Sequence, residues 1–115
     1  MTTYSRSDLA AKALRLPGLY GPDEAISGED QEDAEAMAEA IVETLAEMNI
    51  YIPNGSVDVV PASWYIPLAN FIGMYLVQSY GGPSPTEKSI QDAASPLRTM
   101  SAKPETGSIL EAQYF

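Results

Sequence analysis

The chain has 115 residues, 45% of them hydrophobic, a formal net charge of −10, and neither cysteine nor histidine. A chain of this length makes one domain that buries roughly two-thirds of its unfolded surface. Without cysteine there is no disulfide framework and no thiolate metal site, and without histidine the commonest general base and zinc ligand are missing. We therefore expect a binding protein rather than an enzyme, with no cofactor and no metal.

The acidic charge is distributed unevenly along the chain. From Leu16 to Glu87 there are twelve acidic residues and no basic residue. Phosphate groups bind to positive side chains, so we expect this surface neither to grip nucleic acid nor to attach to a membrane. Residues 1–12 are polar and lack the apolar stretch of a signal peptide, which predicts synthesis in the cytoplasm.

The first predicted helix covers residues 5–16. Ser5 can cap it, Asp8 is placed to complete a capping box, and Pro17-Gly18 ends it. Its apolar face comprises Leu9, Ala10, Ala13 and Leu14.

A longer helix is predicted over residues 28–50, with Ser27 as its N-cap and acidic residues in its first turn, where the helix macrodipole favours them. Apolar residues recur at the three-and-four spacing of a buried stripe. They are Ala34, Met37, Ala38, Ile41, Val42, Leu45 and Met48.

Five glutamates run along another face of this helix, here called the acidic ladder. They are Glu32, Glu35, Glu39, Glu43 and Glu47. Like charges four residues apart repel by a few tenths of a kcal/mol, and no lysine lies between them. The ladder is either a solvated helix face or a surface kept negative for a function. Its spread along one helix argues against a metal site and against a pair of carboxylates that hydrolyses glycosides.

The next segment, residues 49–60, has apolar residues on both sides of Pro53-Asn54-Gly55-Ser56. Asn-Gly is a favoured centre of a two-residue hairpin turn, and Pro53 restricts any strand here to a sheet edge. We predict a short hairpin or an extended loop.

No charged residue occurs from Val59 to Thr86. Pro61 and Pro67 interrupt this apolar stretch, which argues against a transmembrane span of about 20 apolar residues. A buried central helix is predicted over 61–80, ended by Gly81-Gly82. Its aromatic residues could stack on bases, but without basic neighbours core packing is favoured. They are Trp64, Tyr65, Phe71 and Tyr75.

A fourth helix is predicted over 85–100, with Ser84 as cap, Pro85 in the first position and Glu87 in the third. Pro96 should kink or end it. The sequence thus predicts an all-α fold, a small four-helix bundle over residues 1–101 followed by an extended C-terminal tail over 102–115.

The predicted tail contains Pro104 and Gly107, which exclude a helix interior, yet it carries four large apolar residues near its end. They are Ile109, Leu110, Tyr114 and Phe115. Terminal residues are generally disordered unless something holds them. We therefore expect these side chains to dock, either on their own domain or, as we prefer, on a partner.

Taken together, the order of elements resembles the head-to-tail adaptor (tail accessory factor or connector) proteins of bacteriophages. The opening Ser5-Arg6-Ser7-Asp8-Leu9, followed by Ala13-Leu14-Arg15, is the closest match, since that family often begins with Thr/Ser-x-x-Asp-Leu-x-x-x-Ala-Leu. The tail here is shorter than the extensions of some family members.

The resemblance implies a structural subunit of the virion, at the head-tail junction. It implies a ring of twelve copies between the portal protein and a tail or nozzle protein, through which DNA passes without specific binding. The acidic ladder would face the channel, and the tail would bind the portal. The rival hypothesis is an acidic DNA-mimic inhibitor, whose carboxylates imitate phosphates and occupy a nucleic-acid-binding protein.

Overall fold

The computed structural model describes residues 2–102 of the chain. Four helices and one pair of short strands make up this part. In chain order they are β1 (Thr3–Ser5), α1 (Arg6–Arg15), α2 (Gly28–Glu47), β2 (Val59–Pro61), α3 (Ala62–Ser79) and α4 (Glu87–Ala102), with a 3₁₀ turn at Pro53–Gly55 before β2. No helix in the described part has the length and apolar character needed to span a bilayer.

Helix α1 begins and ends as its sequence predicts. The Ser5 hydroxyl accepts a hydrogen bond from the Asp8 N–H at 3.1 Å, and the Asp8 carboxylate accepts one from the Ser5 N–H at 3.3 Å. These two bonds form the predicted capping box. Gly18, just beyond the helix, has φ of 87°, a conformation that glycine adopts without strain.

Helix α2 begins at its predicted cap but ends three residues earlier than predicted. The Ser27 hydroxyl accepts from the Asp30 N–H at 3.1 Å. At the other end, Asn49 has φ of 64°, and the Ile50 N–H donates to the Leu45 carbonyl at 2.9 Å. This is the Schellman arrangement, in which asparagine takes the left-handed position usually filled by glycine.

Helix α4 begins two residues later than predicted, because its cap is Thr86 and not Ser84. The Thr86 hydroxyl accepts from the Ser89 N–H at 3.1 Å, and the Ser89 hydroxyl accepts from the Thr86 N–H at 2.8 Å. The helix also continues through Pro96 to Ala102. Asp92 and Pro96 are both exposed, so water can satisfy the carbonyl that the proline leaves without a donor.

The two strands correct the prediction of an all-α fold. β1 and β2 pair antiparallel, with Tyr4 opposite Val60, and the Ala62 N–H at the start of α3 donates to the Thr2 carbonyl at 3.1 Å. The predicted hairpin within residues 49–60 was wrong, whereas the extended loop is present. Ile52 and Val57 point into the core, so this segment packs inward instead of pairing with itself.

Helix α3 lies at the centre, as predicted, and contacts α1, α2, α4 and both strands. Its residues Phe71, Leu68, Ile72 and Leu76 are among the most buried in the protein. Helices α1, α2 and α3 contact one another, whereas α4 packs mainly on α3. The arrangement is therefore mostly helical, and a four-helix bundle is not established.

The aromatic residues of α3 pack as the sequence predicts. Trp64 and Phe71 are buried, while Tyr65 and Tyr75 are half-buried. The ring of Tyr65 stacks on that of Tyr4, with centroids 3.7 Å apart and planes inclined by 11°. Its hydroxyl donates to the Asp8 carbonyl at 3.2 Å, so Tyr65 connects α3 to both β1 and α1.

Gly73 allows α1 and α3 to approach closely. A Cβ at this position would lie 2.8 Å from the Ala13 carbonyl oxygen and 3.2 Å from Pro17 Cδ. Any side chain there would force the end of α1 away from α3.

Candidate functional site

The acidic ladder occupies one side of α2. The structure places four of its members at the surface and leaves Glu35 half-buried. A helix of 20 residues is roughly 30 Å long, so the ladder is spread out and not gathered at a point. Within residues 2–102 no group of three acidic side chains is arranged to hold a metal ion.

An arginine from another element lies against the middle of the ladder. Arg6 Nε lies 3.5 Å from Glu35 Oε1 and 3.6 Å from Asp58 Oδ1, and its Nη1 contacts the carboxylate of Glu39. Arg6 thus forms ion pairs with α2 and with the loop before β2. The ladder contains no lysine of its own, and this arginine partly neutralises its centre.

Sequence reasoning missed the role of Arg6, although one local signal was present. Arg6 is the first residue of α1, where the positive end of the helix macrodipole disfavours a cation. A cation in that position indicates a partner elsewhere in the fold. The sequence around Arg6 does not indicate which carboxylates form its ion pairs.

Glu35 is also held by Gln31, one turn earlier on α2. Gln31 Nε2 donates to Glu35 Oε2 at 2.9 Å and to the Ser7 carbonyl at 3.0 Å. Glu35 therefore takes part in joining α1 to α2. In the described part of the chain Glu32, Glu43 and Glu47 form no ion pair, so these three leave an uncompensated negative surface.

A second acidic feature, the α2–α3 groove, lies between α2 and the C-terminal end of α3 and has a volume of about 490 Å³. Its polar lining residues are Asp30, Asp33, Ser79 and Tyr80, and its apolar ones are Ala36, Met37, Ala40 and Leu76. Tyr80 is 41% exposed, so part of its large apolar ring is accessible to solvent.

Two tyrosine hydroxyls favour the ionised form of Asp30 at the groove. The Tyr20 hydroxyl donates a hydrogen bond to the Asp30 carboxylate, and this bond, together with the nearby Tyr80 hydroxyl, lowers the pKa of Asp30. Burial, together with the neighbouring Asp30 carboxylate, raises the pKa of Tyr80 to about 12. At neutral pH the groove therefore carries the Asp30 carboxylate beside a neutral tyrosine hydroxyl.

The four predicted partner-binding residues, Ile109, Leu110, Tyr114 and Phe115, lie outside the described residues, as does the predicted tail from Lys103 onward. The structure thus brings together α1, the acidic ladder and the loop at Asp58, and it does not place the tail. No protein-family model, no curated protein and no solved structure matches this chain.

Proposed function

We propose that this chain is a structural, non-catalytic adaptor subunit of a phage head-to-tail connector. It forms a ring, with twelve copies as in the family it resembles, between the portal protein and a tail or nozzle protein, and DNA passes through that ring without specific binding. The subunit is made in the host cytoplasm and resides in the virion, with no membrane contact. The exposed acidic surface of α2 is the observation that carries this proposal.

Helix α2 has the charge expected of a channel wall. It holds eight acidic residues and no basic residue over its 20 positions, which amounts to about one carboxylate per 4 Å of helix length. Arg6 offsets only part of this charge. A surface of one sign repels a polyanion of the same sign, so DNA would slide past α2 instead of adhering to it.

The tail supplies the proposed attachment to the portal. Its side chains Ile109, Leu110, Tyr114 and Phe115 are apolar, and each contributes about 1.5–3 kcal/mol if fully buried. Several tails acting from one ring would add avidity to this contact.

The experiment mixes the purified protein with the portal ring of the same phage and examines the product by electron microscopy. We expect a ring of subunits on the portal. A variant lacking residues 108–115 should keep the thermal stability of the wild-type protein and fail to join the portal. Unfolding of the truncated protein would make the tail part of the core, and normal joining would remove its docking role.

The channel role is tested in the phage itself. Glu32, Glu43 and Glu47 are exposed and outside the Arg6 ion pairs, so replacing them by lysine should leave the fold intact and slow DNA passage by binding phosphates. The matched control replaces exposed Glu87 of α4 by lysine. Normal packaging and ejection by the triple variant would contradict the channel role.

The charge density of α2 also supports a second candidate, the DNA-mimic inhibitor. Counted on all sides of the helix, the eight acids of α2 amount to one carboxylate per about 4 Å, against one phosphate per roughly 3.4 Å along a single strand of DNA. A mimic would act as a monomer or dimer, bind a basic nucleic-acid-binding protein, and be displaced from it by DNA. Assembly into a ring on the portal, with no such binding, favours the adaptor.

A further inference from the structure

The end of α1 presents an exposed leucine beside two cations. Leu16 is 40% exposed, and with Lys12, Arg15 and Pro22 it borders a hollow of about 360 Å³. Lys12, Arg15 and Leu16 are here called the α1 basic patch. A partner that contacts this patch would therefore meet one apolar side chain beside two positive charges.

Two of the other basic residues of the described chain pair with carboxylates, Arg6 with the acidic ladder and Lys88 with Asp92 at 2.9 Å. Arg98, on α4, donates to the neutral amide of Gln91 at 3.3 Å and does not line the hollow beside Leu16. Lys12 and Arg15 form no ion pair with any carboxylate of residues 2–102.

Arg15 is nevertheless held in place. Its Nη2 donates to the Glu24 carbonyl at 3.0 Å, while its buried Nε has no hydrogen-bond partner among the described residues. The guanidinium thus has a fixed position at the end of α1 and a charge that nothing in the described fold neutralises.

The α2–α3 groove has the opposite character. Asp30 and Asp33 supply its negative charge, Ala36, Met37, Ala40 and Leu76 supply apolar surface, and no basic residue lines it. The groove and the α1 basic patch share no residue, so one copy of the chain can offer both at once.

We infer that the α1 basic patch of one copy docks into the α2–α3 groove of a second copy, with Leu16 against the apolar lining residues and Lys12 and Arg15 facing Asp30 and Asp33. Two copies that each carry a net charge of −10 repel one another unless their spare cations meet carboxylates. A second copy of the chain carries, in its α1 basic patch, the positive charges that match the groove. It is therefore the occupant that we infer.

Such a contact joins two different surfaces and is heterologous. Heterologous contacts repeat from copy to copy and close into a ring or continue as a filament. Under the proposed function, this contact joins neighbouring subunits of the ring, and its biological role rests on that function. The contact itself can be tested without the portal.

The test uses charge reversal on each surface of the full chain. In Lys12→Glu, the altered patch meets the acidic groove of an identical copy, so like charges face each other. In Asp33→Lys, the altered groove meets the basic patch with the same result. Each variant alone should self-associate at least about tenfold more weakly than the wild-type protein, because like charges brought together at an interface are strongly unfavourable.

An equimolar mixture of the two variants should recover association. The carboxylate introduced at position 12 of one variant then meets the ammonium introduced at position 33 of the other, and the unaltered Lys12 and Asp33 meet at the alternate contact. Sedimentation velocity measures both the loss and the recovery. Matched controls are Glu47→Lys, on α2 but outside the groove, and Lys88→Glu, on α4; both should associate as the wild-type protein does.

Two results overturn the inference, namely a wild-type protein that stays monomeric up to about 1 mM, and a mixture that fails to recover association. In the second case a ring on the portal can still form through another surface, so the proposed function survives. If the mixture recovers association but the wild-type protein does not join the portal, the contact between copies is supported and the adaptor function is contradicted.

Discussion

The guanidinium of Arg6, at the start of α1, lies 3.5 Å from the carboxylate of Glu35 on α2. The same side chain lies 3.6 Å from Asp58, in the loop before β2. One arginine therefore connects three segments that are distant in sequence, and it does so at the middle of the surface proposed to face DNA.

Replacing Arg6 with glutamine should lower the free energy of unfolding by about 1 kcal/mol, because the ion pairs are partly exposed and such pairs contribute little individually. The loss should shrink as salt is added, since salt screens exposed charges. Urea unfolding at low and high ionic strength measures both effects. The control is Lys88→Gln, whose side chain is 84% exposed; an equal loss in both variants would contradict a special role for Arg6.

Two double variants separate the structural members of the acidic ladder from the free ones. Lysines at Glu35 and Glu39 should destabilise the fold by more than about 1 kcal/mol, because they place cations against Arg6. Lysines at Glu32 and Glu43 should change stability by less than about 0.5 kcal/mol each. Thermal unfolding at equal ionic strength measures the difference. From sequence alone, replacing Glu35, Glu39 and Glu43 together would be expected to leave the fold intact, and the Arg6 ion pairs revise that expectation.

Truncation of the central helix should be costly. Phe71 is fully buried and Leu76 is 1% exposed, so replacing either with alanine should cost about 2–5 kcal/mol. The control on the same helix is Ile66→Ala, since Ile66 is 46% exposed. Comparable losses at Ile66 and Phe71 in chemical denaturation would show that α3 is not buried as described.

Gly73→Ala should destabilise the protein even though alanine favours a helix by about 1 kcal/mol over glycine. The added Cβ would meet the Ala13 carbonyl oxygen at 2.8 Å, and backbone atoms yield only if α1 shifts. Gly28→Ala is the matched control because no atom lies within 4 Å of its Cβ position. A more stable Gly73 variant would mean that α1 and α3 do not approach this closely.

The groove should make stability sensitive to alkaline pH. Tyr80 has its pKa raised from 10.0 to about 12 in the folded protein, so the unfolded chain ionises first. The contribution of Tyr80 to the free energy of unfolding is fully present below pH 10 and is lost as the pH rises to about 12. Tyr80→Phe should flatten this part of the stability profile, measured by urea unfolding. The control is Tyr51→Phe, because Tyr51 is 62% exposed. This variant should leave the profile unchanged.

Features that depend on nearby residues could be predicted from the sequence. The capping box of Ser5 and Asp8 lies within one helical turn, and the end of α3 at Gly81-Gly82 has the expected bond from the Gly82 N–H to the Val77 carbonyl, 2.9 Å long. The early end of α2 was missed because asparagine at position 49 adopts the left-handed conformation less often than glycine does.

Features that join distant segments could not be predicted in the same way. β1 and β2 have three residues each, too few for a periodic pattern, and half of the chain separates them. The Arg6 ion pairs and the α2–α3 groove likewise form only once the helices have packed. Hydrophobic spacing predicts which face of α2 is buried, but it does not predict which element covers that face.

The pairing of β1 with β2 has a consequence for how the protein is made. The first N–H of α3 is satisfied by the Thr2 carbonyl, and Tyr4 stacks on Tyr65. During synthesis, β1 must therefore remain unpaired until the ribosome has produced the beginning of α3. Pairing across such a long segment slows folding, because the intervening chain must close into a loop first. The domain therefore cannot complete its native structure before β2 and the start of α3 have been made, and a chain interrupted between α2 and β2 would leave β1 without its partner.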